Sequence, residues 1–425
     1  MNFLNTFWYN TSGASSFETK WRTTLNNQSI TLPYVSSGTY SGTIDWGDGT
    51  VVANTYANRS HTYITSGDYN VVIDGECSKW NFATTNTSAT KIIEVLGWGT
   101  YSFEECSFSN CGNFIGGAVC RDIINLSPNA TLSFTSCRDL TTIQNIEFWD
   151  ISNLTNTLSM FQNCIKFTGD LSNWDMSNVT NAFFMFFGAK VFNSDVSSWD
   201  TSSLAACVYM FANCDNFNSD INFDLTSGTN FSYGLFSGCT SFDGDMSGMD
   251  TSTLTSMRDM FTDCTSLNNN SMMGWDVSNV TDMINMFEGC TSFNQDFTTW
   301  DTGSVTTMMR MFSSATAFNG DVDVFDTSSV NNMEFMFANA DAFDKDFSNW
   351  DISATGLSMQ GFMFGKTFNN YSASNYDILL SRCEQGGLSN ITLDMGTIKY
   401  TIGGQARKNN LVNNFGWTIS DGGLV

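Results

Sequence analysis

The chain repeats itself about every 25 residues, and a unit that short cannot bury an apolar face alone, so copies must stack on one another. The repeat opens on Met-Phe-x-x-Cys/Ala-x-x-Phe-Asn. Its first Phe stands at Phe161, Phe186, Phe211, Phe236, Phe261, Phe287, Phe312, Phe337 and Phe364, with degenerate copies at Phe108 and Phe134. Six residues on, an apolar residue recurs as Phe167, Phe192, Phe217, Phe242, Leu267, Phe293, Phe318 and Phe343. A Trp-Asp-x-Ser piece then follows at Trp174, Trp199, Trp275, Trp300 and Trp350.

Within one copy, Val280, Met283, Met286, Phe287 and Cys290 fall at three- and four-residue spacings, which predicts an apolar stripe on a short helix with Ser278 as its N-cap. The stretch from Phe293 to Trp300 has fewer helix formers and reads as a strand with flanking turns. Each repeat is thus expected to be one helix and one strand.

Three side-chain rows invite a functional reading. The aromatic row Trp149, Trp174, Trp199, Phe223, Trp275, Trp300, Phe325 and Trp350 could stack sugars, but its presence in nearly every copy predicts a core ladder. The row Cys111, Cys137, Cys164, Cys214, Cys239, Cys264 and Cys290 gives way to Ala189, Ala315 and Ala340 elsewhere. Ala cannot replace a metal ligand, so the position calls for a small buried group. Two Asp rows, Asp170 to Asp346 and Asp150 to Asp351, predict Asx-turns that bond backbone N–H groups, with Ca2+ bridging as the sharper alternative. Cys106, Cys111 and Cys120 form the one cysteine cluster outside strict register. No cofactor and no metal site is expected.

With 42 acidic against 17 basic residues the formal charge is −25, which repels phosphate backbones and anionic lipid and so argues against nucleic-acid binding. No apolar stretch approaches the length needed to span a bilayer, and the N-terminus lacks the basic and apolar regions of a signal peptide. An enzyme is not expected. The single histidine, His61, sits in a strand motif, no phosphate-cradling loop appears, and nearly all the carboxylates that a glycan-active enzyme would need belong to rows.

Two resemblances bear on fold and function. Thr43-Ile-Asp-Trp-Gly-Asp-Gly-Thr50, His61-Thr-Tyr63 and Gly67-Asp-Tyr-Asn-Val-Val-Ile73 resemble the signature of PKD-type immunoglobulin-like β-sandwich modules. The repeats, best copied at Met286 to Val305 and Met185 to Leu204, look like those of BspA-type leucine-rich-repeat surface proteins. The tail around Tyr376 to Leu380 and Asn414 to Gly423 resembles the segment that closes such arrays. The fold expected is therefore an α+β repeat, a leucine-rich-repeat-like solenoid of helix/strand units over residues 91–370. An immunoglobulin-like (PKD-like) β-sandwich at 16–90 would precede it, and a cap at 371–425 would follow.

The BspA likeness implies a non-catalytic adhesion or host-interaction protein. Exported members carry a leader ahead of the sandwich, and its lack here points to display on a virion, as a decoration, fibre or host-adhesion element of a phage. A bacterial cell-surface adhesin is the alternative. Expected partners are other virion or surface proteins and a host surface glycan or protein, with neither nucleic acid nor membrane insertion. Residues 1–15, with the apolar cluster Phe3, Leu4, Phe7, Trp8 and Tyr9, are read as an attachment segment.

Overall fold

The computed structural model describes residues 16–82, 87–117, 122–227 and 232–425. Phe3, Leu4, Phe7, Trp8, Tyr9 and Cys120 lie outside the described residues. The chain divides into two compact units, Met1–Asp175 and Met176–Val425.

The first unit starts as antiparallel sheet. Strand β1 (Phe17–Thr23) alternates buried Phe17, Thr19, Trp21 and Thr23 with outward polar residues, the period of a half-buried strand. β2 (Gln28–Thr31), β3 (Thr43–Asp45), β4 (Val51–Ala53), β5 (Ser60–Tyr63) and β6 (Gly67–Asp74) follow. β1 pairs with β6, β6 with β3 and β3 with β4, all antiparallel, while β2 and β5 form a separate antiparallel ladder. The turn between β3 and β4 is built by its own side chains. Asp45 Oδ1 accepts from the Gly47 N–H at 2.9 Å, and Asp48 Oδ1 from the Thr50 N–H at 3.0 Å.

Beyond β7 (Lys79–Asn81), strand β8 (Ile92–Gly97) joins the same sheet by pairing antiparallel with β1. From there the pairing turns parallel. β9 (Ser102–Ser107) lies between β7 and β11 (Asn125–Ser133), and β10 (Gly116–Gly117) lies between β8 and β12 (Thr142–Ile143).

The expectation of a helix/strand leucine-rich-repeat-like solenoid is wrong. Among the described residues the only α-helices are α1 (Ala373–Gly386) and α2 (Ile402–Phe415), both after the repeats; the rest is sheet, turns and short 3-10 segments. The stripe Val280, Met283, Met286, Phe287 and Cys290 is fully buried, but a chain of tight turns carries it. The N–H groups of Val280, Met286, Cys290 and Phe293 each donate to the carbonyl three residues back, at 2.9–3.3 Å. Two residues per copy then prevent a helix from propagating, because they hold the left-handed region: Asn285 at φ 56° and Gly289 at φ 72°. The same pair recurs at Tyr209 and Asn213, Asp259 and Asp263, Arg310 and Ser314, and Phe335 and Asn339.

Alternate N–H groups in the turns point to the next copy instead. In the second unit Met283, Asn285, Phe287 and Gly289 donate to the carbonyls of Thr307, Met309, Met311 and Ser313 at 2.8–3.1 Å. Single parallel bridges run Ser256, Asp282, Thr307, Asn332 and Ser358, ahead of the Met-Phe box, whereas Phe293 to Trp300 forms no strand. Ser278 caps nothing: its N–H and hydroxyl donate to Asp276 Oδ1 at 3.0 and 2.6 Å.

The box Phe residues stack from copy to copy. Rings of Phe186, Phe211, Phe236, Phe261, Phe287, Phe312 and Phe337 are nearly parallel, successive centroids lying 5.5–6.0 Å apart. In the first unit Phe108, Phe134 and Phe161 do the same at 5.5–5.6 Å. The last step differs from the sequence register, since Phe362 is the buried partner of Phe337 and Phe364 is 52% exposed. An extra residue in that copy lets Gly361 and Gly365 take the two left-handed places.

The second unit ends in α1, β13 (Thr392–Asp394), α2 and β14 (Thr418–Ser420), with β13 and β14 parallel. Thr401 caps α2 by accepting from the Gly403 N–H at 3.0 Å, and Gly387 and Gly416 end the two helices at φ 67° and 70°.

Candidate functional site

The rows singled out in the sequence are committed to the fold. Each member of the Trp/Phe row is at most 4% exposed, and Trp174, Trp275, Trp300 and Trp350 donate through Nε1 to backbone carbonyls one copy back, at 2.8–3.2 Å. No ring face in the row is open to a sugar.

The eleven described cysteines are buried and unpaired. Cys137, Cys164, Cys214, Cys239, Cys264 and Cys290 donate through Sγ to the box-Phe carbonyl of the preceding copy at 2.9–3.1 Å. Burial pushes the thiols of this row from Cys137 to Cys290 well up and that of Cys207 up to about 12, which leaves them poor nucleophiles. A thiol reagent should therefore label none of the eleven in native protein and all of them in urea, as mass spectrometry after alkylation would show. Rapid native labelling of Cys239 or Cys264 contradicts the packing.

Most of the Asp rows form Asx-turns, while Asp220 and Asp296 accept from the N–H of Asp245 and Asp321 in the next copy at 2.8 Å. Asp195, Asp200, Asp250, Asp276 and Asp326 each accept through Oδ1 from the N–H two residues on, at 2.9–3.0 Å. Serine hydroxyls, then these N–H groups, hold the five carboxyls below their ordinary range. A carboxyl depressed by folding stabilises the fold above its unfolded pKa, and that contribution disappears as pH falls through the folded value. Asp276→Asn keeps an acceptor oxygen but not the charge, so at pH 7 it should lose what the charged form adds, and the difference from native protein should close as pH falls. Asp276→Ala should cost about 1 kcal/mol. Urea midpoints at pH 7 and pH 3 test both. Among the described residues no group of three or more His, Cys, Asp or Glu side chains could hold a metal ion.

His61 is also committed. Its ring stacks on Trp46 with centroids 5.1 Å apart, and its Nε2 lies 2.7 Å from Asp48 Oδ2 in the β3–β4 turn. The Tyr63 hydroxyl donates to the Trp46 carbonyl at 2.8 Å, closing the turn. In the first unit, Arg22, Thr24, Gln28, Thr90, Lys91, Ile93, Asn113, Ile115 and Asp139 line an open depression of about 560 Å³. Its charges are already engaged, Arg22 with Asp68 at 2.7 Å, Asp139 with Lys166 at 2.7 Å and Lys91 with the Ser29 carbonyl at 2.6 Å.

What remains is the outward face of the second unit, along the first left-handed position of each turn. Phe184 and Tyr209 stand there at φ 54° and 50°, half-buried, with rings 5.9 Å apart and parallel within 4°. Phe183 and Phe187 pack edge-on to Phe184 at 6.5 and 5.7 Å. The Tyr209 ring lies over Gly234, where a Cβ would come within 2.1 Å of Cε1, and its hydroxyl donates to Asp259 Oδ2 at 3.1 Å. Next come Asp259, Asp263, Asn285, Glu288 and Arg310. Asn285 Nδ2 donates to Asp259 Oδ1 at 2.8 Å, and Arg310 lies 3.7 Å from Glu288. Burial raises the Glu288 carboxyl, Asp263 and Asp259 raise it further, and Arg310 opposes them.

Sequence reading missed this face because it followed what repeats. The signal was an irregularity, an aromatic residue two places before the box Phe at Phe184, Tyr209 and Phe335, where other copies carry Ser, Gly, Asp, Asn or Arg.

No curated protein and no solved structure matches the chain. One family pattern matches three overlapping stretches, residues 129–234, 209–273 and 269–376, which together cover more than half of the 425 residues. The chain belongs to the family DUF285, described as Mycoplasma protein of unknown function.

Proposed function

We propose that this is a non-catalytic interaction protein displayed on a surface, in the first instance that of a phage virion. The observation that carries the reading is the use made of the recurring residues. Trp, Cys and Asp rows alike hold turns and core together, so variation, and hence recognition, falls to the outward side chains. Eleven buried and unpaired cysteines suit a chain folded in a reducing compartment, which favours carriage on an assembled particle over export. The antiparallel β1–β6–β3–β4 pairing and the Asp-built turn support reading residues 16–90 as a PKD-like module, and the repeats as kin of BspA-type surface proteins.

A bacterial cell-surface adhesin is the second reading, and the Mycoplasma membership of the matching family favours it. Immunogold labelling of purified particles and of intact producing cells separates the two. Label on particles supports the virion reading and label on cells alone supports the adhesin. Antigen found only inside lysed cells rejects display altogether.

A further inference from the structure

Phe184 and Tyr209 are half-buried and stand where the backbone least favours them. A left-handed φ suits Gly, Asn and Asp, and a bulky ring there is an outlier. Gly234, Asp259, Asn285 and Arg310 hold the same place in other copies, so the turn closes without a ring, and Phe335 is the third ring at this place. Phe184 and Tyr209 lie outside the box stack, whose members Phe186 and Phe211 are 0% exposed. Strain kept at a partly exposed position points to a use other than folding.

The surroundings say what would sit there. Tyr209 leads directly into carboxylates, and among the described residues Asp259 and Asp263 form no ion pair with Lys, Arg or His. Arg258 is engaged by Asp282 at 2.9 Å, leaving Arg310 as the cation facing Glu288. The chain as a whole carries −25, so phosphates and acidic glycans are repelled from this face and basic groups are drawn to it.

Resting on the interaction reading above, we infer that Phe183, Phe184, Phe187 and Tyr209 with Asp259 and Asp263 dock a basic segment of a partner protein. The partner's apolar side chain packs on the rings, and its Lys or Arg side chains meet the two carboxylates. Aromatic anchors such as Tyr are enriched in protein-binding hot spots, and complementary charge sets which partner they meet.

Fluorescence anisotropy on the full chain tests this with two labelled probes of equal charge, a peptide of alternating Lys and Leu residues and a Lys homopolymer. The Lys/Leu peptide should bind at least ten-fold more tightly, with an affinity that falls as salt rises. Phe184→Asn with Tyr209→Asn should weaken it about ten-fold while leaving the melting midpoint unchanged or higher, since Asn tolerates the left-handed region. Asp259→Asn with Asp263→Asn should weaken it and flatten the salt dependence. Equal binding of both probes to all three proteins would mean diffuse charge attraction and overturn the inference. So would no binding of the Lys/Leu peptide, a fall in melting midpoint on replacing the rings, or binding of a neutral glycan such as dextran that is lost when Phe184 and Tyr209 are replaced. A protein that labels particles or cells yet ignores the peptide refutes this surface alone and leaves display intact.

Discussion

Phe261→Ala should destabilise the protein by about 3 to 5 kcal/mol, the loss expected for truncating a fully buried Phe. Phe261 is 0% exposed, and its ring lies parallel to those of Phe236 and Phe287, with centroids 5.7 Å away on either side. Phe242 and Trp275 close the remaining sides at 6.3 and 6.0 Å. Neighbouring copies cannot slide together to fill the void, because the Phe261 N–H donates to the Met286 carbonyl at 3.0 Å and the Phe261 carbonyl accepts from Cys290 Sγ at 2.9 Å. Phe261→Leu retains most of the volume and should cost less than half as much. Urea titration followed by tryptophan fluorescence measures both. A loss under 1 kcal/mol for the Ala variant would mean that the ring stack adapts, and the close packing described above would be wrong.

The same position shows how much of the fold the sequence discloses. The register of Phe211, Phe236 and Phe261 is legible because one residue type recurs at one interval, and stacking follows from the need of each copy to cover its neighbour. The secondary structure of each copy is not legible in the same way. Apolar residues three and four apart mark a helix only when every intervening residue keeps φ near −60°; a run of three-residue turns gives the same spacing. The decisive residues are Asn285 and Gly289, and their equivalents Tyr209, Arg310 and Phe335 carry no compositional mark of a left-handed backbone. Copy-to-copy bonding was equally hidden, since it uses backbone N–H groups whatever the side chains. Of the outward face, the carboxylates Asp259 and Asp263 look like ordinary turn residues in sequence. Only the bond from the Tyr209 hydroxyl, 50 residues away, sets Asp259 apart.

Lys366→Met should cost about 2 to 4 kcal/mol, the scale expected when buried acceptors lose a charged donor. Lys366 stands in the row occupied by Cys290, Ala315 and Ala340 in earlier copies, yet it is 1% exposed. Its ammonium lies 2.6–3.1 Å from the carbonyls of Ala340, Asp341, Phe343 and Asn370, which share its three N–H donors and tie one copy to the turn that leads into α1. Met fills the space but offers no N–H, so these carbonyls would be left without their donor. The effect also has a pH signature. Burial lowers the Lys366 pKa from 10.5 to about 8, against the pull of Asp341 and Asp344. Below the folded value the amine is charged in both states and the folded protein bears the full desolvation penalty. Between about 8 and 10.5 the unfolded chain holds more protons than the folded one, so stability attributable to this group rises with pH. The Met variant has no such group, and the stability gap between native protein and variant should be wider at pH 10 than at pH 7. Paired urea titrations at the two pH values read that gap directly. A gap that stays constant would show that the carbonyl cage holds the ammonium charged throughout the range, whereas the absence of any gap would remove Lys366 from the structure's support.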